Sequence, residues 1–358
     1  MTRGRPAPLA RRLLLVGLGN VGRSFLQILQ SQTSLLAERH GVAFRVVGVA
    51  DSSGIATAAD GFDSAAIVAL KQRGGAAASL PGGRAGVPAL ALAENAPADA
   101  LLEATPVDLR TGQPGLDITR AALRRGLPVV LANKGPLALA WAELAALSDL
   151  GGAAATPLRF SACVGGAMPT INLGVRDLAG ARILRVEAVL NGTTQYILRA
   201  MEGGRDFAEI LAEAQRRGLT ETDPSLDVDG WDAANKLVIL ANAVLRQPTT
   251  LADVRVEGIG GLTADALRGA AARGERIVLL CLAESNGAGR FRLSVGPTPL
   301  PLDHPLARMD SDEMGVVYHT DIAGRASATS AERDPVPTAA AMLRDLLEIT
   351  RPAAGVRK

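Results

Sequence analysis

The residues best suited to chemistry stand in one acidic segment that ends at a lysine. Residues 218–236 read GLTETDPSLDVDGWDAANK and hold five carboxylates and one lysine. Asp232 and Lys236 are four residues apart, so on a helix they share a face. A partly buried lysine beside carboxylates can pass a proton, and the carboxylates can bind a substrate ammonium group. The spacing alone favours a structural ion pair over catalysis, so both interpretations stay open at this point.

A second pattern lies near the amino terminus, where Gly17, Gly19 and Gly22 occur in the run GLGNVG between an apolar run and a helical stretch. In such a turn the first glycine permits the bend, the second lets the backbone approach a pyrophosphate, and the third allows close helix–strand packing. The amino end of the helix adds free N–H groups and the positive end of a dipole. The motif predicts dinucleotide binding.

Asp51 ends the second apolar run and is the candidate for ribose recognition. It lies 29 residues after Gly22, more than the usual spacing of about 20, and a long helix with a turn at His40-Gly41 accounts for the excess. A carboxylate there would accept hydrogen bonds from both ribose hydroxyls and repel a 2′-phosphate, which favours NAD over NADP. The alternative is that Asp51 only caps an Asx-turn in the run Asp51-Ser52-Ser53-Gly54.

Regular alternation of apolar runs and helical stretches supplies the scaffold. The predicted buried strands are residues 13–16, 44–50, 100–104, 128–131 and 158–162. Helices are predicted between them, including one over residues 21–37, and residues 74–86 are predicted to be a loop. This alternation indicates an α/β fold, a Rossmann-type doubly wound parallel sheet. Beyond about residue 160, strands and helices occur in runs, which predicts a second α+β domain.

The predicted domain organisation has three parts. Residues 1–157 form a dinucleotide-binding domain and residues 158–320 form a substrate-binding and dimerisation domain. Residues 321–358 return to pack on the nucleotide domain.

Composition excludes several classes of function. The 38 Lys+Arg residues nearly balance the 36 Asp+Glu residues, which gives no basic face for nucleic acid. No apolar run approaches the roughly 18 residues of a membrane span, and the basic amino terminus lacks a signal-peptide core. Two cysteines are too few for a disulfide scaffold or a zinc cluster. We expect a cytoplasmic protein with a small-molecule substrate, and neither nucleic-acid nor membrane binding.

Three further segments occur in an order that resembles the homoserine dehydrogenases. Residues 130–137 (VLANKGPL) are similar to that family's VxANKxPL segment, residues 163–170 (CVGGAMPT) to its VGGGIP turn, and residues 190–198 (LNGTTQYIL) to its LNGTTNYIL segment. The acidic segment resembles the family's substrate-binding stretch. Together with the glycine loop, the resemblance covers about residues 12–325.

The resemblance implies an enzyme that interconverts L-homoserine and L-aspartate 4-semialdehyde in threonine, methionine and isoleucine biosynthesis, with NAD or NADP as cofactor. It makes Lys236 the acid and base at the substrate oxygen and places Lys134 near the nicotinamide and the substrate. Three carboxylates match positions that bind or orient the substrate amino group and the catalytic lysine: Glu221, Asp227 and Asp232. The implied cofactor contacts are Gly17, Gly19, Asn20, Val21, Gly22, Asp51, Thr105, Asn133 and Lys134.

The family also carries a monovalent cation, Na or K, on backbone carbonyls of its glycine-rich turn. The matching carbonyls here are those of Ser161, Val164, Gly166 and Met168. Ser161 stands where the family usually has Glu, so any side-chain contribution to that cation is lost.

Other features of the resemblance concern the cofactor loop and assembly. A run at residues 325–333 replaces a glycine-rich segment expected near the cofactor, so the family's contacts do not carry over there. The resemblance implies a homodimer formed through the sheet of the second domain. The sequence that follows the resemblance is too short for a carboxy-terminal ACT domain. We therefore expect no feedback inhibition by threonine through such a domain.

Two alternatives belong to other classes. A semialdehyde dehydrogenase that forms an acyl-thioester would need a cysteine nucleophile with a histidine partner, and no motif places a histidine beside Cys163. The second alternative is a nucleotide sensor that has the same fold but no catalytic activity. The altered run at residues 325–333 favours this alternative.

Overall fold

The computed structural model describes residues 7–152, 154–216 and 224–350, and they form two compact units. One unit runs to Cys163 and takes up the chain again at Asp334, and the other covers Val164–Arg333. Both boundaries lie later than the predicted ones, after residues 157 and 320. The helical turn Ser161–Cys163 packs on the last helix of the first unit, whereas Arg325–Ala331 pairs as a strand in the second unit.

The first unit contains a seven-stranded sheet. Its strands are β1 (Leu9–Val16), β2 (Val42–Asp51), β3 (Gly54–Thr57), β4 (Gly83–Ala85), β5 (Ala100–Glu103), β6 (Val129–Leu131) and β7 (Leu158–Arg159). The order is β4-β3-β2-β1-β5-β6-β7, and the five strands from β2 to β7 in that order are parallel. The chain moves from β1 to β2 on one side and later to β5 on the other. The carboxyl end of β1 is therefore the switch point at which such sheets bind ligands.

Thirteen α-helices are formed by the described residues. In chain order they are α1 (Asn20–Ser31), α2 (Thr33–Leu35), α3 (Ser64–Gln72), α4 (Leu90–Asn95), α5 (Gly115–Arg124), α6 (Gly135–Ala146), α7 (Thr170–Asn172), α8 (Gly192–Glu202), α9 (Phe207–Arg216), α10 (Ser225–Val228), α11 (Trp231–Ala243), α12 (Ala264–Ala272) and α13 (Val336–Thr350). In the first unit α1 packs against α3 and α13. Phe25 and Leu26 of α1 and Met342 and Leu346 of α13 belong to one buried core. None of the described helices is both long and apolar enough to span a membrane.

One local prediction in the first unit is confirmed with an interruption, and another is wrong. The stretch predicted as a helix over residues 21–37 is helical except at Gln32, and it is divided into α1, α2 and a π-helical turn, Leu36–His40. The loop predicted over residues 74–86 contains β4, which pairs antiparallel with β3. A run of glycine and alanine has no alternating pattern, so only the pairing partner reveals that strand.

The second unit contains a six-stranded sheet flanked by helices. Its strands are β8 (Ile183–Val189), β9 (Val254–Val256), β10 (Glu275–Ser285), β11 (Phe291–Pro301), β12 (Glu313–Thr320) and β13 (Arg325–Ala331), in the order β13-β12-β8-β10-β11-β9. All neighbours are antiparallel except β11 and β9. Helices α8, α11 and α12 pack on β10, and a hydrogen bond from Lys236 of α11 to the carbonyl of Leu190, just after β8, connects these two segments.

Candidate functional site

The glycine loop joins β1 to α1, and two of its glycines are sterically required. Gly17 has φ of +95°, and a Cβ there would lie 2.2 Å from the Ala104 carbonyl oxygen. A Cβ on Gly22 would lie 2.0 Å from the Gly17 carbonyl oxygen. A side chain at either position would displace backbone, because neither oxygen is the end of a flexible side chain. These two glycines therefore fix the turn and its contact with the segment after β5.

Gly19 differs, because a Cβ there would meet nothing within 4 Å. It is the N-cap of α1, and no side chain caps that helix end. The exposed Asn20 side chain accepts a hydrogen bond from Arg23, with 2.6 Å between Oδ1 and Nη2, and Val21 is half-buried. The open space and the uncapped helix end fit an anionic pyrophosphate.

Asp51 lies at the end of β2, and its carboxylate is already fully engaged. Oδ1 accepts hydrogen bonds from the backbone N and the hydroxyl of Ser53, at 2.9 and 2.5 Å. Oδ2 accepts from Lys71 Nζ at 2.5 Å and from the Ala77 backbone N at 3.0 Å. Burial raises the pKa of Asp51, but the bonds from Lys71, Ser53 and Ala77 outweigh it, and the pKa lies below its ordinary value.

The Asx-turn considered for Asp51 is therefore present, since Ser53 N donates to its carboxylate. Lys71 of α3 was missed by sequence reasoning. No motif connects residues 51 and 71, and only the packing of α3 brings the ammonium to the carboxylate. The pair leaves little net charge where a ribose or a 2′-phosphate would be recognised.

Thr105 and Asn133 follow β5 and β6, and a hydrogen bond joins them. Asn133 Nδ2 donates to Thr105 Oγ1 at 3.1 Å, and Asn133 Oδ1 accepts from Gly135 N, the start of α6, at 2.9 Å. Lys134 is the N-cap of α6 and is half-buried. Beneath Thr105 lies Glu103, a buried carboxyl that accepts from the Thr105 backbone N at 2.9 Å and from its hydroxyl. Sequence reasoning placed Glu103 in a strand and gave it no role.

In the second unit Lys236 is held between a carbonyl and a carboxylate. Its Nζ donates to the Leu190 carbonyl oxygen at 2.6 Å and lies 2.8 Å from Asp232 Oδ2. The Lys236 and Asp232 side chains are 15% and 11% exposed, so the pair is mostly buried but still partly exposed to solvent. The i, i+4 geometry on α11 agrees with the spacing expected from the sequence. The ion pair considered from spacing alone is thus real, and it does not conflict with a chemical role.

Asn191 connects the two aspartates of this cluster. Its Nδ2 donates to Asp227 Oδ1 at 2.7 Å and to Asp232 Oδ2 at 2.8 Å. Its Oδ1 accepts from Thr194 N at 2.8 Å, which caps α8. Asn191 stands inside the LNGTT run but was not chosen as a site residue. A side chain with both a donor and an acceptor at a helix start was the signal available in the sequence.

The remaining predicted residues fall in three places. Glu221 lies outside the described residues. Ser161 is buried in the first unit, where its backbone N and hydroxyl both donate to Asp345 at 2.7 Å. Val164, Gly166 and Met168 belong to the second unit, where Ala167 N donates to Glu332 Oε1 at 2.8 Å. Among the described residues, no group of three or more His, Cys, Asp or Glu side chains could hold a metal ion.

Neither cysteine is arranged as a nucleophile. Cys281 is fully buried, and burial raises the pKa of its thiol to about 12. Cys163 is also buried, with its Sγ 3.4 Å from the Leu131 carbonyl oxygen. A thiol becomes a nucleophile as its thiolate, and burial in apolar surroundings opposes ionisation.

Comparison with known proteins decides the family. The family model described as homoserine dehydrogenase matches residues 169–347, and that described as homoserine dehydrogenase, NAD binding domain, matches residues 17–156. The NAD(+)-dependent homoserine dehydrogenase of Pseudomonas canavaninivorans is 36% identical over 343 residues, which cover 96% of this chain and 97% of the relative. The chain belongs to the homoserine dehydrogenase family.

Solved structures agree with this assignment. A homoserine dehydrogenase from Thiobacillus denitrificans superposes with a TM-score of 0.81 at 29% identity, covering 97% of this chain and 74% of that one. A hyperthermophilic archaeal homoserine dehydrogenase mutant in complex with NADPH superposes with a TM-score of 0.79 at 25% identity, covering 96% and 98%. The Rossmann-type first unit and the mixed second unit predicted from sequence are confirmed.

As a member of this family, the chain is an NAD(P)-dependent oxidoreductase that interconverts L-homoserine and L-aspartate 4-semialdehyde. The match over both units favours an active enzyme over a sensor that has lost its chemistry. The same match favours a homoserine dehydrogenase over a semialdehyde dehydrogenase that forms a thioester.

Proposed function

We propose that Lys236 is the acid and base of the reaction. The observation that carries this proposal is the position of its Nζ between the Leu190 carbonyl and Asp232. In the oxidation direction Lys236, as the neutral amine, accepts the proton of the homoserine hydroxyl while hydride leaves the carbon that bears that hydroxyl, and Lys236 becomes the ammonium paired with Asp232. In the reduction direction Lys236 returns that proton to the aldehyde oxygen as negative charge develops there.

The substrate's ammonium group is assigned to the neighbouring carboxylates. Asp227 and Asp232 share the amide of Asn191, which holds the two carboxylates close together beside Lys236. Glu221 is proposed as a third acidic contact on the basis of the resemblance alone. Two or three carboxylates would bind one ammonium and keep Lys236 oriented through Asp232.

The cofactor is assigned to the carboxyl edge of the first unit's sheet. Gly17, Gly19 and Gly22 with Asn20 and Val21 would hold the pyrophosphate, and Thr105, Asn133 and Lys134 would contact the nicotinamide end. NAD, when bound, accepts the hydride from homoserine. The role of the loop is to fix the phosphates by backbone N–H groups, so that the ring is placed by the ends of β5 and β6.

NAD is proposed as the preferred cofactor, with NADP also accepted. Asp51 places a carboxylate at the end of β2, whose negative charge disfavours a 2′-phosphate although its oxygens are already hydrogen-bonded, and the Pseudomonas canavaninivorans relative is named as NAD(+)-dependent. Lys71 neutralises much of that carboxylate's charge, which weakens repulsion of a 2′-phosphate. The archaeal relative in complex with NADPH is consistent with this tolerance.

A monovalent cation, Na or K, is proposed on the carbonyls of Ser161, Val164, Gly166 and Met168. Carbonyl oxygens suit hard cations. The Met168 carbonyl already accepts one hydrogen bond, from Thr170 N at 2.8 Å, and keeps a second lone pair.

A homodimer formed through the second unit's sheet is also proposed. In this sheet β13 lies at an edge, and a strand edge can pair with a second copy. Sedimentation velocity should give the mass of a dimer at assay concentrations, and a monomer would contradict the proposal. The cytoplasmic location stays a prediction.

The decisive experiment for the proposed chemistry is Lys236→Ala. We expect kcat for homoserine oxidation to fall by about 10²–10⁴-fold, the usual range for a general acid–base group, with little change in cofactor Kd. Steady-state assays with NAD and NADP in parallel measure the first quantity, and NADH fluorescence titration measures the second. A variant with near-normal kcat would remove Lys236 from the mechanism.

A further inference from the structure

Glu103 is a buried carboxyl with one unsatisfied oxygen at the end of β5. Its side chain is 0% exposed. Oε1 accepts two hydrogen bonds from Thr105, through the backbone N at 2.9 Å and the hydroxyl. Oε2 is buried and has no hydrogen-bond partner in the described chain. Leaving a buried acceptor without a hydrogen bond is destabilising, so this arrangement calls for a functional reason.

The carboxyl ties together the segments that border the proposed nicotinamide position. Thr105, which it holds, accepts a bond from Asn133, and Asn133 in turn accepts from Gly135 at the start of α6. A Cβ on Gly115, the first residue of α5, would lie 3.0 Å from Oε2. The absence of a side chain at Gly115 allows the start of α5 to lie this close to the carboxyl.

No charged side chain compensates Glu103 in the described chain. The residues that face it from β1, the loop after β5, α5 and β6 are uncharged: Val16, Thr105, Gly115, Leu131 and Asn133. The nearest titratable groups of these elements bond elsewhere. Asp117 of α5 pairs with Arg120, and Asp108 of the loop after β5 accepts hydrogen bonds from the backbone N of Arg110 and of Thr111.

Burial raises the pKa of Glu103 to about 7, although the hydrogen bonds from Thr105 act in the opposite sense. The carboxyl therefore gains and loses its proton near neutral pH. The ionised Glu103 carboxylate has no positively charged partner among the described residues. The oxidised nicotinamide ring carries a positive charge, whereas the reduced ring is neutral. Buried charges are little screened by solvent, so they interact over several ångströms.

We propose that Glu103 is a positioning residue for the nicotinamide end of the cofactor and that its negative charge favours the oxidised ring over the reduced one. This inference rests on the proposed function, specifically on the assignment of Thr105 and Asn133 to the nicotinamide. The carboxyl orients Thr105 directly and Asn133 through it. Binding of NAD⁺ then favours the carboxylate and releases a proton, whereas binding of NADH does not.

The test compares Kd for NAD⁺ and NADH, without homoserine, at about pH 6 and about pH 8. In the wild-type enzyme the Kd for NAD⁺ should fall by about tenfold as pH rises, because the carboxylate form binds the cation more tightly, and the Kd for NADH should stay constant. Glu103→Gln keeps the size and removes the charge. It should raise the Kd for NAD⁺ at about pH 8 by about tenfold, abolish the pH dependence, and change the Kd for NADH by less than about twofold.

Glu187→Gln is the matched control, because Glu187 is a buried glutamate of the second unit that pairs with Arg185. It should leave the ratio of the two Kd values unchanged. If Glu103→Gln fails to fold, calorimetry of the wild-type enzyme in two buffers of different ionisation enthalpy decides the matter. Proton release near pH 7 on binding NAD⁺ but not NADH supports the proposal, and equal proton release overturns it.

Two outcomes separate this inference from the proposed function. A Glu103→Gln variant that weakens both cofactors equally, or neither, overturns the charge preference while the site assignment stands. Asn133→Ala should weaken both cofactors. If Asn133→Ala binds both like the wild type, the assignment of the nicotinamide to this edge fails, and the inference fails with it.

Discussion

The glycine loop of the first unit and the lysine cluster of the second are built in opposite ways. The loop is six consecutive residues, and contacts between backbone atoms determine its shape, as at Gly17 and Gly22. The cluster gathers side chains from the end of β8, from α10 and from α11. A site made of backbone tolerates few side chains, whereas a site made of side chains depends on residues that orient one another.

The sharpest way to break the loop is Gly22→Ala. The new Cβ would lie 2.0 Å from the Gly17 carbonyl oxygen, so backbone must move. We expect a loss of about 1–3 kcal/mol in the free energy of unfolding, as for overpacking, and a rise of more than about tenfold in the Kd for NAD. Thermal denaturation measures the first effect, and calorimetric titration with NAD measures the second.

Gly19→Ala is the internal control for that variant. Its Cβ meets nothing within 4 Å and Gly19 has a negative φ of −72°, so stability should change by less than about 1 kcal/mol. The methyl group would occupy the space assigned to the pyrophosphate, and the Kd for NAD should still rise by about tenfold. Unchanged affinity would place the pyrophosphate elsewhere.

The cluster is best tested at Asn191, which supports two carboxylates and one helix end. Asn191→Ala removes the amide from Asp227 and Asp232 and the cap from α8. We expect kcat to fall by about tenfold, because Lys236 loses the orientation of its carboxylate partner, and the free energy of unfolding to fall by about 1 kcal/mol. Steady-state kinetics and chemical denaturation check these values.

Asn191→Ser separates the two roles. A serine hydroxyl can still accept from Thr194 N, but it is too short to donate to both aspartates. Stability should recover while kcat stays low. Recovery of kcat together with stability would mean that Asn191 acts only as a helix cap.

The smallest effect is expected at Asp51 and Lys71. They form a side-chain ion pair in the first unit, the unit that also holds the glycine loop. Lys71→Met leaves the carboxylate unneutralised and should shift kcat/KM toward NAD over NADP by about fivefold. Asp51→Asn leaves the ammonium and should shift the ratio toward NADP by a similar factor. Lys71→Arg, which keeps the charge, should stay near the wild-type ratio. Shifts of both variants in the same direction would show that the pair acts only through local folding.

Much of the fold was predictable because its signals are local. Apolar runs marked the parallel strands, and the glycine spacing marked the turn after β1. Strands β3, β4, β9 and β13 were not predicted. The first three are only three or four residues long, and β13 consists mainly of small and polar residues, so no apolar run marks any of them. For β13 this moved the second boundary from residue 320 to Arg333.

The sequence by itself determined the glycine loop, the i, i+4 pair of Asp232 and Lys236, and the family resemblance, because each depends on residues close together in the chain. Only the tertiary structure decided which groups meet across the chain. It brought Lys71 to Asp51, Asn191 to Asp227 and Asp232, and the Leu190 carbonyl to Lys236. It also buried Glu103 without a counter-charge. Burial and electrostatic pairing are properties of the packed chain, and no spacing of residues along a sequence specifies them.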